Sequence, residues 1–327
     1  MKKPFFVLAP MANVTDFAFR SMIAKYGKPD VMWNEFVSAD GLVSRGREKL
    51  LMDLKFSKKE RPIVAQLFTG HPEAMKKAAA LCAELGFDGI DINMGCPDRA
   101  VEKQGGGAAS IRDPENALAV LEAARDGAPN IPVTIKTRIG YNRFEMDWLR
   151  ILLEQKLPAL TVHLRTRKEM SEVPAHWELM PEIVKMRDEI SPGTLLIGNG
   201  DVESVVDGAE KIEKYGCDGV MIGRGIFGTS WLFENISTRS NPRARWPEER
   251  LKIMVEHAKL FEKTFCGKKN GKNGSKPVKN FAVMKKHFKA YVSGWDGVKE
   301  LRVKLMETEN AKQVAKIVKE YLQAENR

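Results

Sequence analysis

Residues 89–97 read Gly-Ile-Asp-Ile-Asn-Met-Gly-Cys-Pro. Gly89–Asn93 is a short, largely apolar run, and Gly95-Cys96-Pro97 then breaks it. That is the pattern of a strand buried in a sheet and followed at once by a loop. The loop opens with a thiol, and Asn93 stands at the point where the chain leaves the strand. Seven more segments share the design: Phe5–Ala9, Val31–Val37, Pro62–Phe68, Val133–Thr137, Ala159–His163, Thr194–Gly198 and Gly219–Ile222. They are rich in Val, Ile and Leu, as strands covered on both faces are.

Amphipathic stretches lie between them, at Asp16–Tyr26, Pro72–Leu85, Pro114–Arg125, Asp147–Gln155, Glu182–Ile190 and Val202–Tyr215. Gly27, Gly86, Gly127 and Gly216 stand where those helices should stop. Only Ser38–Glu60 lacks a clear helical period. Eight strand–helix units at this spacing have the size and rhythm of a closed (β/α)8 TIM barrel. An open doubly wound sheet would share the alternation, but no Gly-x-Gly-x-x-Gly follows the first strand, which disfavours a Rossmann dinucleotide site. Asn241-Pro242 through Trp246-Pro247 reads as a linker. Beyond it only helices are predicted, over Glu248–Phe265, Asn280–Val292 and Val298–Glu325, the last broken near Thr308. The expected organisation is an α/β barrel domain over residues 1–238 and a small all-helical domain over residues 239–327.

With 43% hydrophobic and 29% charged residues, the 327-residue chain is neither disordered nor fibrous. No apolar run approaches the roughly 20 residues that span a bilayer. Phe5–Ala9 is too short for the core of a signal peptide and runs into Pro10. Cys82, Cys96, Cys217 and Cys266 form no Cys-x-x-Cys pair, which disfavours zinc and suits a reducing compartment. A cytoplasmic protein is expected, with a monomer as the default state and no membrane. The formal net charge is +10, yet residues 237–327 alone hold 22 Lys and Arg against 10 Asp and Glu. The whole positive excess therefore sits in the tail. Such asymmetry points to a module that meets a polyanion; a solvated lysine-rich helical face is the plainer reading. Within the tail, Gly267–Pro277 is rich in Lys, Gly and Asn and reads as a mobile basic loop.

Chemistry in a barrel sits where strands end and loops begin. The first exit carries Ala9-Pro10-Met11-Ala12, the third Gln66, the fifth Lys136 and the sixth His163. The seventh carries Gly198-Asn199-Gly200-Asp201 and the eighth Gly223-Arg224-Gly225. Paired glycine turns with an arginine, at the last two exits, suit a ligand phosphate held by backbone N–H groups; tight loop closure alone is the alternative. Lys136 ends an apolar strand, where a cation can stabilise an anionic ring or oxyanion. His163 faces the same mouth, as a partner in that site or as a structural histidine. Cys96 can serve as nucleophile or general acid. The plain alternative, a small buried hydrophobe, suits Cys82 and Cys217 better. Gln104-Gly105-Gly106-Gly107-Ala108-Ala109 behind it reads as a flexible flap of small residues.

These motifs, in order along the whole barrel, resemble those of the tRNA-dihydrouridine synthases. The likeness runs through Ala9–Ala12 with Thr15-Asp16 and Phe19-Arg20, Gln66, Asp91–Pro97, and Lys136 with Arg138. It continues through His163 with Arg165-Thr166-Arg167, Asn199-Gly200-Asp201 and Ile222-Gly223-Arg224, and more weakly to Lys285-Lys286-His287. Asn-Met-Gly-Cys-Pro is the most specific of them, and the bacterial B-type enzymes look nearest. The resemblance implies an FMN-bearing barrel, NADPH (or NADH) as electron donor, and a helical domain that helps grip tRNA. It implies hydride delivery to carbon 6 of a uracil and protonation of carbon 5 by Cys96. Pro10, Met11, Ala12, Gln66, Lys136, His163, Asn199, Gly200, Asp201, Gly223 and Arg224 match flavin-contacting positions. Asn93 and Arg167 match positions near the substrate base. Leu164 departs from the family's usual glycine, Gly105–Gly107 and Ser110 from its commoner Leu and Ala, and the Gly267–Pro277 loop is longer and more basic than the family leads one to expect. Two rivals remain at this level: a flavin barrel acting on a free pyrimidine, disfavoured by the basic tail, and an RNA-binding protein without redox chemistry, disfavoured by the intact Lys136, His163 and glycine turns.

Overall fold

The computed structural model of the chain describes residues 4–267 and 277–325. Nine parallel strands form one sheet: β1 (Phe5–Leu8), β2 (Met32–Trp33), β3 (Val37–Ser38), β4 (Ile63–Phe68), β5 (Gly89–Met94), β6 (Val133–Arg138), β7 (Ala159–His163), β8 (Leu195–Asn199) and β9 (Gly219–Ile222). Their order is β1-β9-β8-β7-β6-β5-β4-β2, with β3 also beside β4. Val7 bridges to Val31, and the Leu8 N–H donates to the Val31 carbonyl at 3.2 Å, so the two ends of the sheet meet. The architecture is the TIM barrel that the alternation predicts.

One strand differs from expectation. Val31–Val37 is not continuous; it is split into β2 and β3 with Asn34–Phe36 between them. Asn34 bridges the break. Its Oδ1 accepts the Gln66 N–H at 2.7 Å, a side-chain oxygen standing in the ladder. The interruption lets Glu35 reach the Asn13 N–H in the loop after β1 and Lys279 in the tail at 2.5 Å.

Alternate residues of a strand face the barrel interior. Phe5, Val7, Val31, Trp33, Val64, Ile197 and Met221 form an apolar plug there. Toward the C-terminal ends the same inward positions become Gln66, Asp91, Asn93, Lys136, His163 and Asn199. The switch from apolar plug to polar mouth is thus written into the last residues of each strand.

Around the barrel run α1 (Phe17–Tyr26), two short helices α2 (Ala39–Leu42) and α3 (Arg47–Leu50), α4 (Pro72–Glu84), α5 (Arg99–Glu102), α6 (Pro114–Gly127), α7 (Met146–Glu154), α8 (Met180–Ile190) and α9 (Val205–Tyr215). The segment without a helical period, Ser38–Glu60, buries Ala39, Leu42 and Leu54 in the core and is fixed at its end by a polar clamp. Arg20 on α1 is fully buried. Its Nε donates to Glu60 Oε2 at 2.8 Å, and its other N–H groups donate to the carbonyls of Thr15 and Lys55, each at 2.6 Å.

The tail folds into α10 (Pro247–Phe261), α11 (Met284–Tyr291), α12 (Val298–Met306) and α13 (Ala311–Glu325). The break expected near Thr308 is present. The helix expected to reach Phe265 loosens after Phe261 into one wide turn, Glu262–Cys266. The tail's core of Met254, Phe261, Phe288, Tyr291, Leu305 and Val314 also takes in Ala18 and Met22 of α1. The tail therefore packs on the first strand–helix unit of the barrel. Glu256 of α10 accepts from Lys25 at 2.6 Å and from the Tyr26 hydroxyl at 2.6 Å, reinforcing the joint. Of the expected Gly267–Pro277 loop, residues 268–276 lie outside the described residues. Among the described residues no helix is long and apolar enough to cross a membrane.

Both partners of the Arg20–Glu60 pair are fully buried. Removing one strands the other's charge, which costs about 3–5 kcal/mol. Glu60→Ala should lower the urea midpoint by that amount of stability at unchanged m-value; a midpoint like that of the unaltered chain would refute the clamp.

Candidate active site

The C-terminal ends of the strands surround a cavity of about 650 Å³, within the range of roughly 300–1,000 Å³ typical of cofactor sites. Pro10 and Met11 enter it from the loop after β1, Lys136 from β6 and His163 from β7. Asn199, Gly200 and Asp201 enter from the end of β8, and Gly223 and Arg224 from the end of β9. Ala12 is exposed just beyond them, and Gln66 lies fully buried in the barrel.

Gln66 belongs to a hydrogen-bonded stack inside the barrel. Its Nε2 donates to Asp91 Oδ2 at 2.7 Å and its Oε1 accepts from Asn93 Nδ2 at 3.1 Å. Thr134 Oγ1 donates to the other Asp91 oxygen at 2.6 Å. Burial pushes the Asp91 carboxyl up to about 6, against the pull of these donors and of Lys136.

Lys136 pairs with Asn93 across the β5–β6 ladder. Its ammonium has no hydrogen-bond partner among the described residues. Burial, aided by the charge of Arg138, pushes its pKa down to about 8, with Asp91 opposing. A cation lining a cavity without a partner is the donor that an electron-rich ligand requires. Gly223 leaves the neighbouring wall open. A Cβ there would meet nothing closer than Ala9 Cβ at 3.7 Å, so any side chain would occupy cavity space.

His163 and Asp201 are held by Arg165, which the sequence reading left without a role. Arg165 Nη1 lies 3.1 Å from His163 Nε2. A guanidinium only donates, so Nε2 accepts and the ring proton sits on Nδ1. Burial, followed by the charges of Lys136, Arg138, Arg165 and Arg224, pushes the His163 pKa well down, so the ring is neutral. Arg165 also pairs with Asp201 Oδ2, which accepts the Ala175 N–H at 2.9 Å. Asp201 Oδ1 accepts from Arg224 at 2.7 Å. Gly200 has φ of +117°, and a Cβ on it would lie 2.8 Å from Ala175 Cβ and 3.1 Å from His163 Cδ2. Only glycine fits that turn.

Cys96 stands apart from the cavity lining, half-buried at the mouth. Asn93 Oδ1 accepts the N–H groups of Gly95 at 3.1 Å and Cys96 at 2.9 Å, and Arg138 Nε donates to the Gly95 carbonyl at 2.7 Å. Burial raises the thiol's pKa above its ordinary value, so at neutral pH it carries its proton and can donate it. The glycines behind it are not a flexible flap. A Cβ on Gly70 would fall 2.7 Å from Gly105 Cα, and one on Gly107 would fall 2.6 Å from the Cys96 carbonyl oxygen. They are small because two chain segments cross in contact. Leu164 is fully buried in the layer between strands and helices, outside the cavity lining. Cys82 and Cys217 are buried, in keeping with a packing role. Arg167 is bound to Glu102 at 2.5 Å and lies over the Tyr141 ring, outside the cavity. Arg165 and Arg138 were detectable only as basic residues two positions beyond His163 and Lys136, a spacing that repeats the inward-facing period.

The family model described as dihydrouridine synthase (Dus) matches residues 7–326. A probable tRNA-dihydrouridine synthase of Staphylococcus aureus strain COL is 39% identical over 98% of this chain and 94% of its own length. A probable tRNA-dihydrouridine synthase 2 of Bacillus subtilis strain 168 is also 39% identical, over 98% of this chain and 95% of its own. Among solved structures, histamine dehydrogenase from Rhizobium sp. 4-9 superposes with a TM-score of 0.53 at 13% identity, covering 78% of this chain and 49% of that one. A variant of NCR from Zymomonas mobilis gives 0.50 at 16% identity, covering 73% and 88%. These last two share the barrel fold. The chain belongs to the dihydrouridine synthase family, and with it to the flavin-dependent oxidoreductases.

Proposed function

We propose that the protein reduces the carbon 5–carbon 6 double bond of a uridine in tRNA, as a tRNA-dihydrouridine synthase. The observation that carries this reading is a protonated thiol, Cys96, at the mouth of a cofactor-sized cavity lined by Lys136, whose ammonium has no hydrogen-bond partner among the described residues. FMN, reduced by NADPH or NADH, would supply the hydride that carbon 6 receives. Gly200, Asp201, Gly223 and Arg224 would hold its phosphate end, and Lys136 its electron-rich ring. Pro10, Met11, His163 and Asn199 would shape the remaining walls, Ala12 would stand just beyond them, and Gln66 would act from inside the barrel through Asn93. Neutral His163 can donate one hydrogen bond from Nδ1 without adding charge. Cys96 delivers a proton to carbon 5, which balances the hydride added at carbon 6. Asn93 and Arg167 border the space for the base, which must leave its stack to enter. Residues 1–238 would act as the catalytic domain and 239–327 as the tRNA-binding domain, whose excess of Lys and Arg suits phosphate contacts.

Two outcomes test the assignment. A general acid contributes typically about 10²–10⁴-fold to rate. Cys96→Ala should therefore bind FMN and be reduced by NADPH normally, yet form dihydrouridine at least about a hundredfold more slowly. Full turnover in that variant would overturn the acid role. Lys136 favours an electron-rich ligand only while protonated, and its pKa lies at about 8. FMN affinity, followed by quenching of flavin fluorescence, should accordingly fall as pH rises through that value. Lys136→Met should weaken binding by about tenfold or more, as loss of a charged hydrogen bond does, and should flatten the pH dependence.

A further inference from the structure

We propose that Glu102 is a positioning residue that, through Arg167 and Tyr141, locks the loop carrying Cys96 against the loops that leave β6 and β7. Glu102 closes α5, the single helical turn after Cys96. Its Oε2 accepts from Arg167 Nη2 at 2.5 Å, and its two oxygens lie 3.1 and 3.2 Å from Arg167 Nε. Its Oε1 also accepts the Tyr141 hydroxyl at 3.0 Å. Arg167 stacks on Tyr141 with its guanidinium carbon 5.5 Å from the ring centre, and it reaches the Pro97 carbonyl at 3.5 Å. Its own N–H donates to the Gly140 carbonyl at 2.9 Å. Three loops therefore meet at one carboxylate, and one of them begins with the reactive thiol.

The lock is well placed to act. The side chains of Arg167 and Glu102 are only 24% and 13% exposed, so water screens the pair weakly. Burial pushes the Glu102 carboxyl up, but the hydrogen bonds from Arg167 and Tyr141 outweigh it and hold the group below the usual carboxylate range. The other anchors of the loop pull elsewhere. Gln104 ties it to Gly70 and Ser38 on the opposite side, each at 2.8 Å, and Asn93 fixes its first turn. Arg138 also pins the loop's first turn from β6, donating to the Gly95 carbonyl at 2.7 Å; Glu102 is the one anchor among these that supplies a negative charge. The lock bears on catalysis through the proposed role of Cys96, but its geometry does not depend on that role.

The test uses the flavin-loaded protein with Glu102→Gln, Arg167→Met and the double variant. Alkylation of Cys96 by iodoacetamide, read by peptide mass, should speed up about fivefold to tenfold in each, because a loosened loop exposes its thiol. A displaced catalytic group lowers kcat by about ten- to a hundredfold. In Glu102→Gln that loss should appear with KM for tRNA nearly unchanged, and the double variant should lower kcat no more than the worse single one, as expected for one shared link. Tyr141→Phe, which removes a single hydroxyl, should show a smaller effect in the same direction. Unchanged alkylation and kcat in Glu102→Gln would overturn the lock. Faster alkylation in these variants alongside a fully active Cys96→Ala would leave the lock standing and refute the acid role instead.

Discussion

An ammonium group near the end of an apolar barrel strand must be compensated, and much of the site is arranged around Lys136 for that reason. Asp91 faces it from the neighbouring strand, kept in place by Gln66 and Thr134. Arg138 opposes it, yet is turned to bind the carbonyls of Gly95 and Thr166. The remaining deficit is left open toward the cavity. Lys136 titrates lower in the folded chain than its ordinary 10.5. The folded state is therefore penalised below about pH 8, and the penalty fades as pH rises toward the ordinary value. Asp91, raised to about 6, penalises the fold above that pH and is relieved as pH falls toward its ordinary value. At neutral pH both groups work against stability.

Asn93 links this charge site to the thiol. Its amide nitrogen joins the Gln66–Asp91 stack, while its oxygen shapes the turn that presents Cys96. One short side chain thus couples the polar stack inside the barrel to the turn that carries Cys96. Glu35 makes a comparable link at the other side of the mouth. It holds the Asn13 N–H, beside the Met11 wall, and also Lys279 of the tail, which Asp53 reaches at 3.0 Å. The tail is consequently tied by charge to the same loop that lines the cavity.

Much of this was legible in the sequence because barrel strands repeat a simple rule: apolar residues first, chemistry at the exit. Lys136, His163 and the glycine turns could be found from that rule alone, and Cys96 from its place just beyond a strand. What escaped were contacts between residues distant in sequence. Nothing in Val31–Val37 announces that the Asn34 side chain will accept a ladder hydrogen bond from the Gln66 N–H. The weak period of Ser38–Glu60 gave no hint of the Arg20–Glu60 clamp that holds its end, alongside Leu42 and Leu54 in the core. Gly105–Gly107 suggested mobility because glycine permits both freedom and close approach, and only the crossing at Gly70 decides between them.

The central claim is that electrons pass from this barrel to a uridine in tRNA. It is tested most directly by reducing the flavin-loaded protein with NADPH under anaerobic conditions, removing excess donor, and adding tRNA that lacks dihydrouridine while the flavin spectrum is followed. The account predicts return of the oxidised flavin bands with formation of dihydrouridine. A flavin that stays reduced with such tRNA, but is reoxidised by a free pyrimidine, would contradict it.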